Sequence, residues 1–383
     1  MARKTKEQLE QIMKKHRVER IWSYSRYNCY KNSSFEYFLR YVKKEKPTRD
    51  NIYSYLGSCV HDLLESFYDG SIKYEDMIHE FDTAFLNAEL AGLKFDRTDD
   101  VKNDNISRKY KACVRHFLQN HISIERDMAL EEYILIKVGK FLFGGYFDAV
   151  HKDKDGNYVI TDWKTSTIYT GKKIDQEKNQ LVLYAEGLRQ MGVSIEKLKI
   201  RWCFIKYLNI TMPLKNGNTR TTRAERHAWF GKIKNNVKMW LKDTNRYSDE
   251  EIEDMLNYSL EFDTIDNLPE DIQKLYTIED CYVYANFNEE EIDKLKEDIY
   301  SVLTEIYKRE KEYEETGSDK AFWEEVTDRQ SYYFANLCSY NASQHLPYQE
   351  YLNKLEIGID DEYKTDRDVS EVDDDWMSEL GLI

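Results

Sequence analysis

The segment VITDWKTST (residues 159–167) places an acid and a base, Asp162 and Lys164, in a run that otherwise has the apolar character of a buried strand. In a strand, residues i and i+2 project to the same face, so the two charges stand side by side. The neighbouring segments LEEYILIKV (130–138), FLFGGYFDAVHK (141–152) and NYVITDWKT (157–165) complete a three-stranded meander. Gly139-Lys140 fits a two-residue hairpin turn. Lys154-Asp155-Gly156 fits a three-residue loop closed by a left-handed glycine. That register opposes residues whose numbers sum to 310, so Asp148 comes to face Asp162.

Directly opposed residues on one face of an antiparallel pair are about 4.5–5.5 Å apart at Cα. Two half-buried carboxylates at that distance cannot both stay charged unaided. A divalent cation removes the conflict, and hard oxygen ligands favour Mg²⁺ or Mn²⁺ over zinc. Lys164 would stand beside the ion, where an ammonium can orient the attacking water or hold a phosphate oxygen. Metal plus lysine near a polyanion is chemistry suited to phosphodiester hydrolysis. The competing reading is a salt-bridged hairpin with Asp148 solvated.

Outside the meander the pattern is mainly helical. Residues 5–20 and the aromatic stretch SYSRYNCYKNSSFEYFLRYV suggest helices, the second capped by Ser23 or Ser25. YLGSCVHDLLESFYDG predicts a helix ended by Gly70, with Val60, Leu63, Leu64 and Phe67 as its apolar stripe and His61 on an adjacent face. Two further amphipathic helices are expected over 71–90 and 106–121, another over 175–191, and a fourth strand over 197–212. A basic loop, a basic helix over 223–243 and an acidic helical region with an αα pair near 288–315 follow.

The 383 residues carry a net charge of −15, unevenly spread. Residues 215–242 hold 8 Lys/Arg against the single acid Glu225, which suggests contact with a polyanion. Residues 356–383 hold 11 acids against two bases and include Trp376, Met377 and Leu380. Such a tail is expected to be disordered, and to recruit a protein partner (a single-strand-binding protein, helicase or recombinase), to cover the chain's own nucleic-acid channel, or merely to solubilise the terminus. No run is apolar enough for a membrane span, no secretory leader is evident, and the six scattered cysteines suit free thiols in a reducing compartment. A cytoplasmic protein, or a viral one acting in a host cytoplasm, is expected.

The motifs together resemble the PD-(D/E)XK nuclease superfamily, in particular its RecB-like branch, with RecB and AddB nuclease domains and CRISPR adaptation nucleases. They occur in order: Ser23–Arg26, Gly57–His61, Gly145–Asp148, Asp162–Lys164 with Thr165, and Gln180–Tyr184. The resemblance implies an α/β, restriction-endonuclease-like core with a mixed four- to five-stranded sheet flanked by helices, plus helical N- and C-terminal additions. The expected division is an N-terminal helical segment (1–56), the nuclease core (57–212), a basic and helical region (213–355) and the acidic tail (356–383).

The same resemblance implies that Asp148, Asp162, His61 and the Trp163 carbonyl hold Mg²⁺ or Mn²⁺. Lys164 would position the water, and Gln180 and Tyr184 would line the site. Arg26, Thr165, Arg220, Arg223 and Arg226 are expected on DNA. Some relatives carry four cysteines for an iron–sulfur cluster. Here only Cys338 remains near the late positions, so no cluster is expected and packing must join the two ends of the chain. The implied activity is a metal-dependent DNA nuclease, more readily an exonuclease at DNA ends in recombination, repair or replication. A structure-specific endonuclease and a catalytically idle DNA-binding or assembly subunit are the alternatives.

Overall fold

The computed structural model describes residues 4–47, 50–121, 128–324, 333–340 and 348–357. The acidic tail beyond residue 357 lies outside the described residues. A mixed seven-stranded sheet forms the centre. Its strands are β1 (Ile21–Trp22), β2 (Met128–Val138), β3 (Phe141–Lys152), β4 (Tyr158–Lys164), β5 (Leu198–Pro213), β6 (Thr219–Glu225) and β7 (Thr277–Ala285).

The meander forms in the expected register. β2 and β3 turn at Gly139-Lys140, with Val138 opposite Phe141. β3 and β4 pair with sums of 310, from Lys152↔Tyr158 to Ala149↔Thr161. Gly156 sits at φ +77°, and its N–H donates to the Asp153 carbonyl. β5 lies parallel to β4, from Tyr158↔Leu198 to Lys164↔Phe204. Beyond the end of β4, β6 pairs antiparallel with Tyr207–Pro213. β7 covers the other edge of β5.

The helices that matter for the site are α1 (Lys6–His16), α2 (Tyr24–Asn32), α3 (Ile52–Tyr68), α4 (Met77–Leu90), α5 (Asp100–Asn120), α6 (Asn179–Gln190), α7 (Phe230–Asp243), α8 (Asp249–Phe262) and α9 (Glu289–Thr316). α6, α9 and the N-terminal aromatics pack on one face of the sheet, through Leu181, Ala185, Ile299 and Phe38 against Phe147, Ile160 and Trp202. α3, α4 and α5 pack on the other, through Val60, Phe81 and Val114 against Trp163 and Ile205. The result is a three-layer sandwich in which each helix buries its apolar stripe.

Four features differ from the sequence reading. The sheet has seven strands rather than four or five. Residues 219–225, read as loop and helix, form edge strand β6; its Thr-rich alternation suits a strand, and its exposed charges discourage further pairing. TIEDCYVYA, read within an acidic helical region, is β7, because pairing with β5 overrides the local charge pattern. The expected αα pair is one 28-residue helix, α9, opened by an Asn288–Glu291 capping box and closed by Gly317 at φ +65°.

The two ends of the chain meet through aromatic packing. Phe38 stacks on Phe322 at 5.0 Å, and Phe35 meets Trp323 edge-on at 4.6 Å. Arg20 pairs with Glu310 of α9 at 2.8 Å. No helix among the described residues is long and apolar enough to cross a membrane.

Candidate active site

Asp148 stands just past the last rung of the β3–β4 ladder, Ala149↔Thr161. There it accepts a hydrogen bond of 2.8 Å from the main-chain N–H of Trp163, which ties the two strands together between Asp162 and Lys164. α3 starts at Asn51, whose side chain accepts from the N–H groups of Tyr53 and Ser54. Burial of Leu56, Val60 and Leu64 fixes the helix's rotation. His61 is thereby carried to Asp148, with Nδ1 3.5 Å from Oδ2, and its ring meets Trp163 edge-on at 6.1 Å.

A third group joins them from β2. Leu130↔Ala149 and Glu132↔Phe147 bracket Glu131 and set it opposite Asp148. Its backbone is left-handed, at φ +45°. One ligand atom each from His61, Glu131 and Asp148 all lie within 4.8 Å of one another. The sequence reading missed Glu131. The available signal was the doubled acid Glu131-Glu132 in an otherwise apolar strand, since strict alternation would send one of the two inward.

Lys164 extends to Asp162, with Nζ 3.0 Å from Oδ1 and 2.8 Å from Oδ2. Asp162 thus stands next to the cluster but is engaged by the lysine. The electrostatics follow from this crowding. Burial, reinforced by the Asp148 charge and opposed by Lys164, raises the Asp162 pKa. Burial would also raise that of Asp148, but His61 and Lys164 prevail and lower it. Burial would depress His61, yet the Asp148 carboxylate lifts it to about 9. Lys164 is driven upward by Asp162 and Asp148 against its own burial.

α6 supplies the next layer. Gln180 Nε2 donates to the Tyr184 hydroxyl at 3.3 Å. Tyr184 lies across Gly145, where an added Cβ would come within 2.8 Å of the tyrosine ring. Thr165 abuts α3 at Gly57, 3.5 Å from where a Cβ there would lie. Six motif residues therefore gather at one end of β4, while Thr165 flanks them.

The arginines divide. Arg220 and Arg223 are exposed on β6. Arg26 is turned inward: its guanidinium lies over the rings of Tyr41 (4.8 Å), Trp22 (4.9 Å) and Tyr37 (5.5 Å), and it donates to the Tyr37 hydroxyl. Arg226 is 2% exposed; it donates to Asp280 at 2.5 Å and to the Tyr207 carbonyl at 3.0 Å. Asp280 also meets His121 Nδ1 at 2.7 Å, and His121 Nε2 meets the Tyr68 hydroxyl at 2.7 Å. Neither Arg26 nor Arg226 is disposed to meet a phosphate, because cation–π and ion-pair contacts inside the fold already occupy them.

The donor set fits a hard divalent cation. At metal–oxygen distances of about 2.1 Å, adjacent ligands of an octahedral ion lie about 3 Å apart. The 3.5 Å between His61 Nδ1 and Asp148 Oδ2 is close to that spacing. Asp162 Oδ2 is buried without an aligned hydrogen bond despite the nearby ammonium, so it retains a free lone pair.

A comparison with curated proteins returned no match. A family model of the PD-(D/E)XK nuclease superfamily matches residues 21–342. That match spans the sheet, the His61–Asp148–Asp162–Lys164 constellation and α9, and the chain belongs to the PD-(D/E)XK nuclease superfamily, whose members use divalent metal ions to hydrolyse nucleic acids.

Proposed function

We propose that the chain is a Mg²⁺- or Mn²⁺-dependent deoxyribonuclease of the RecB-like kind, acting as an exonuclease on DNA ends. The observation that carries this reading is the convergence of His61, Glu131 and Asp148 on one small volume, with a lysine–aspartate pair beside it. The two exposed arginines of β6 support a polyanionic substrate.

His61, Glu131 and Asp148 would hold the cation, with Asp162 and the Trp163 carbonyl as further ligands from β4. When bound, the ion supplies charge stabilisation at the scissile phosphate and lowers the pKa of water. Asp162 fixes the Lys164 ammonium, which orients the attacking water or holds a phosphate oxygen. Tyr184, itself oriented by Gln180, walls the site and limits where the backbone of the substrate can lie. Thr165 offers a hydroxyl to that backbone. Arg220 and Arg223 extend the contact without reading sequence.

The test is cleavage of end-labelled linear and circular DNA, single- and double-stranded, with Mg²⁺, Mn²⁺ or EDTA. Degradation of linear DNA alone, abolished by EDTA and by Asp148→Asn, is the expected result. Cutting of circular DNA would make the enzyme an endonuclease, and cleavage that survives EDTA would overturn the mechanism.

A further inference from the structure

Lys206 occupies β5 two residues beyond Phe204, which is the partner of Lys164 in the parallel ladder. It sits at the irregularity where β7 loses register between Cys203 and Leu208. Four β5 residues, Phe204 to Tyr207, stand there against Cys281 alone in β7, so β5 bulges just beyond the end of its ladder with β4. The side chain is half-buried, and its Nζ lies 5.6 Å over the Tyr110 ring. None of the described carboxylates forms an ion pair with it, although Cys113 and Glu225 are near enough for their charges to be felt. Burial lowers its pKa, as expected for an ammonium without a counter-ion.

The groups around it point the same way. The Tyr110 hydroxyl is fully buried and turned toward the Thr165 hydroxyl. Thr165 directly follows Lys164 and abuts Gly57 of α3. An unpaired, partly desolvated cation is costly in a finished fold, and an anion offering several acceptor oxygens would satisfy it. The lysine stem can stay on the Tyr110 ring while the ammonium reaches out.

We propose that Lys206, beside the Thr165 hydroxyl, is a phosphate-contacting group that seats the nucleic-acid backbone beside the cleaved bond. This rests on the nuclease reading above. Its contribution is to binding: it brings no group to the reacting atoms and none to the metal cluster.

The experiment compares wild type, Lys206→Met and Lys206→Arg. Fluorescence anisotropy with labelled duplex DNA in Ca²⁺ is measured across 50–200 mM salt, together with Mn²⁺ titration calorimetry and thermal melts. Lys206→Met should bind DNA about tenfold more weakly at low salt, the scale of one charge-assisted hydrogen bond. Its slope of log K against log salt should shrink by about 0.9, the signature of one lost phosphate contact. Lys206→Arg should keep the wild-type slope, and Mn²⁺ affinity should be the same in all three. If Lys206→Met does not fold, Lys206→Gln carries the same measurement. An unchanged slope in a wild-type-like fold overturns the role of Lys206 while leaving the nuclease reading intact. A wild-type protein that neither binds nor cleaves DNA overturns both.

Discussion

Gly145 and Tyr184 are in direct apposition: a Cβ on the glycine would sit 2.8 Å from Tyr184 Cε1 and 2.9 Å from its hydroxyl. Two motifs separated by 39 positions in the chain are therefore one packing unit, and the glycine serves as the space the tyrosine occupies. Gly145→Ala should cost about 1–3 kcal/mol, the usual penalty of overpacking. The displaced tyrosine should also lower activity. Denaturant unfolding and a kcat measurement on the same preparation check both effects. Tyr184→Phe at native Gly145 should leave stability within about 1 kcal/mol.

Glu131 combines a left-handed backbone with a carboxylate in the His61–Asp148 cluster. Glu131→Gly should relieve about 1–2 kcal/mol of backbone cost while weakening Mn²⁺ binding. Glu131→Gln should weaken the metal without relieving the backbone. The checks are melting temperature without metal and Mn²⁺ affinity by calorimetry; a Glu131→Gly protein that binds Mn²⁺ as wild type does would remove Glu131 from the ligand set.

The pH dependence has a defined sign. In the metal-free protein His61 is raised from its ordinary value of 6.5 to about 9 by the Asp148 carboxylate. Stability from that pair is fully present below about 6.5 and is lost as pH rises through about 9. A metal ligand must be deprotonated, so Mn²⁺ binding at pH 7.5 should release protons and tighten as pH approaches 9. Titration calorimetry in buffers of different ionisation enthalpy counts the released protons. His61→Gln should reduce that number by about one.

Asp162 and Lys164 should be inseparable in function. Asp162→Asn leaves the ammonium without its anchor, and Lys164→Met leaves a buried carboxylate without its cation. Each should lower kcat by about 10²–10⁴, the range for a positioned proton-transfer or electrostatic group. The double variant should be little worse than either single one, because the pair acts as a unit. Additive losses in single-turnover kinetics would contradict this.

Arg226 is a stability residue on this structure. It is the buried cation against Asp280, inside a chain of contacts that runs through His121 to Tyr68. Tyr68 in turn stacks on Trp163 at 6.1 Å with rings nearly parallel. Arg226→Met should cost about 3–5 kcal/mol by stranding a buried carboxylate. Arg223→Ala on exposed β6 should cost almost nothing in stability and reduce the salt slope of DNA binding by about 0.9.

The sequence by itself determined the meander. Gly139, Gly156 and the alternation of 141–152 and 157–165 fix register locally, and the register brings Asp148 to the level of Asp162 without help from the rest of the chain. The ordered motifs likewise identified the family from short-range spacing. Tertiary structure decided what depends on distant partners. β7 exists because β5 offers an edge, and its acidic stretch contains the buried Asp280. Glu131 faces Asp148 through that same local register, but His61 joins the two only because α3 docks against the sheet. Arg26, Arg220, Arg223 and Arg226 are equivalent as letters, yet two lie inside the fold and two face water. A charge pattern records how many cations a segment carries; only the packing of the other elements sets which of them find a partner before a substrate arrives.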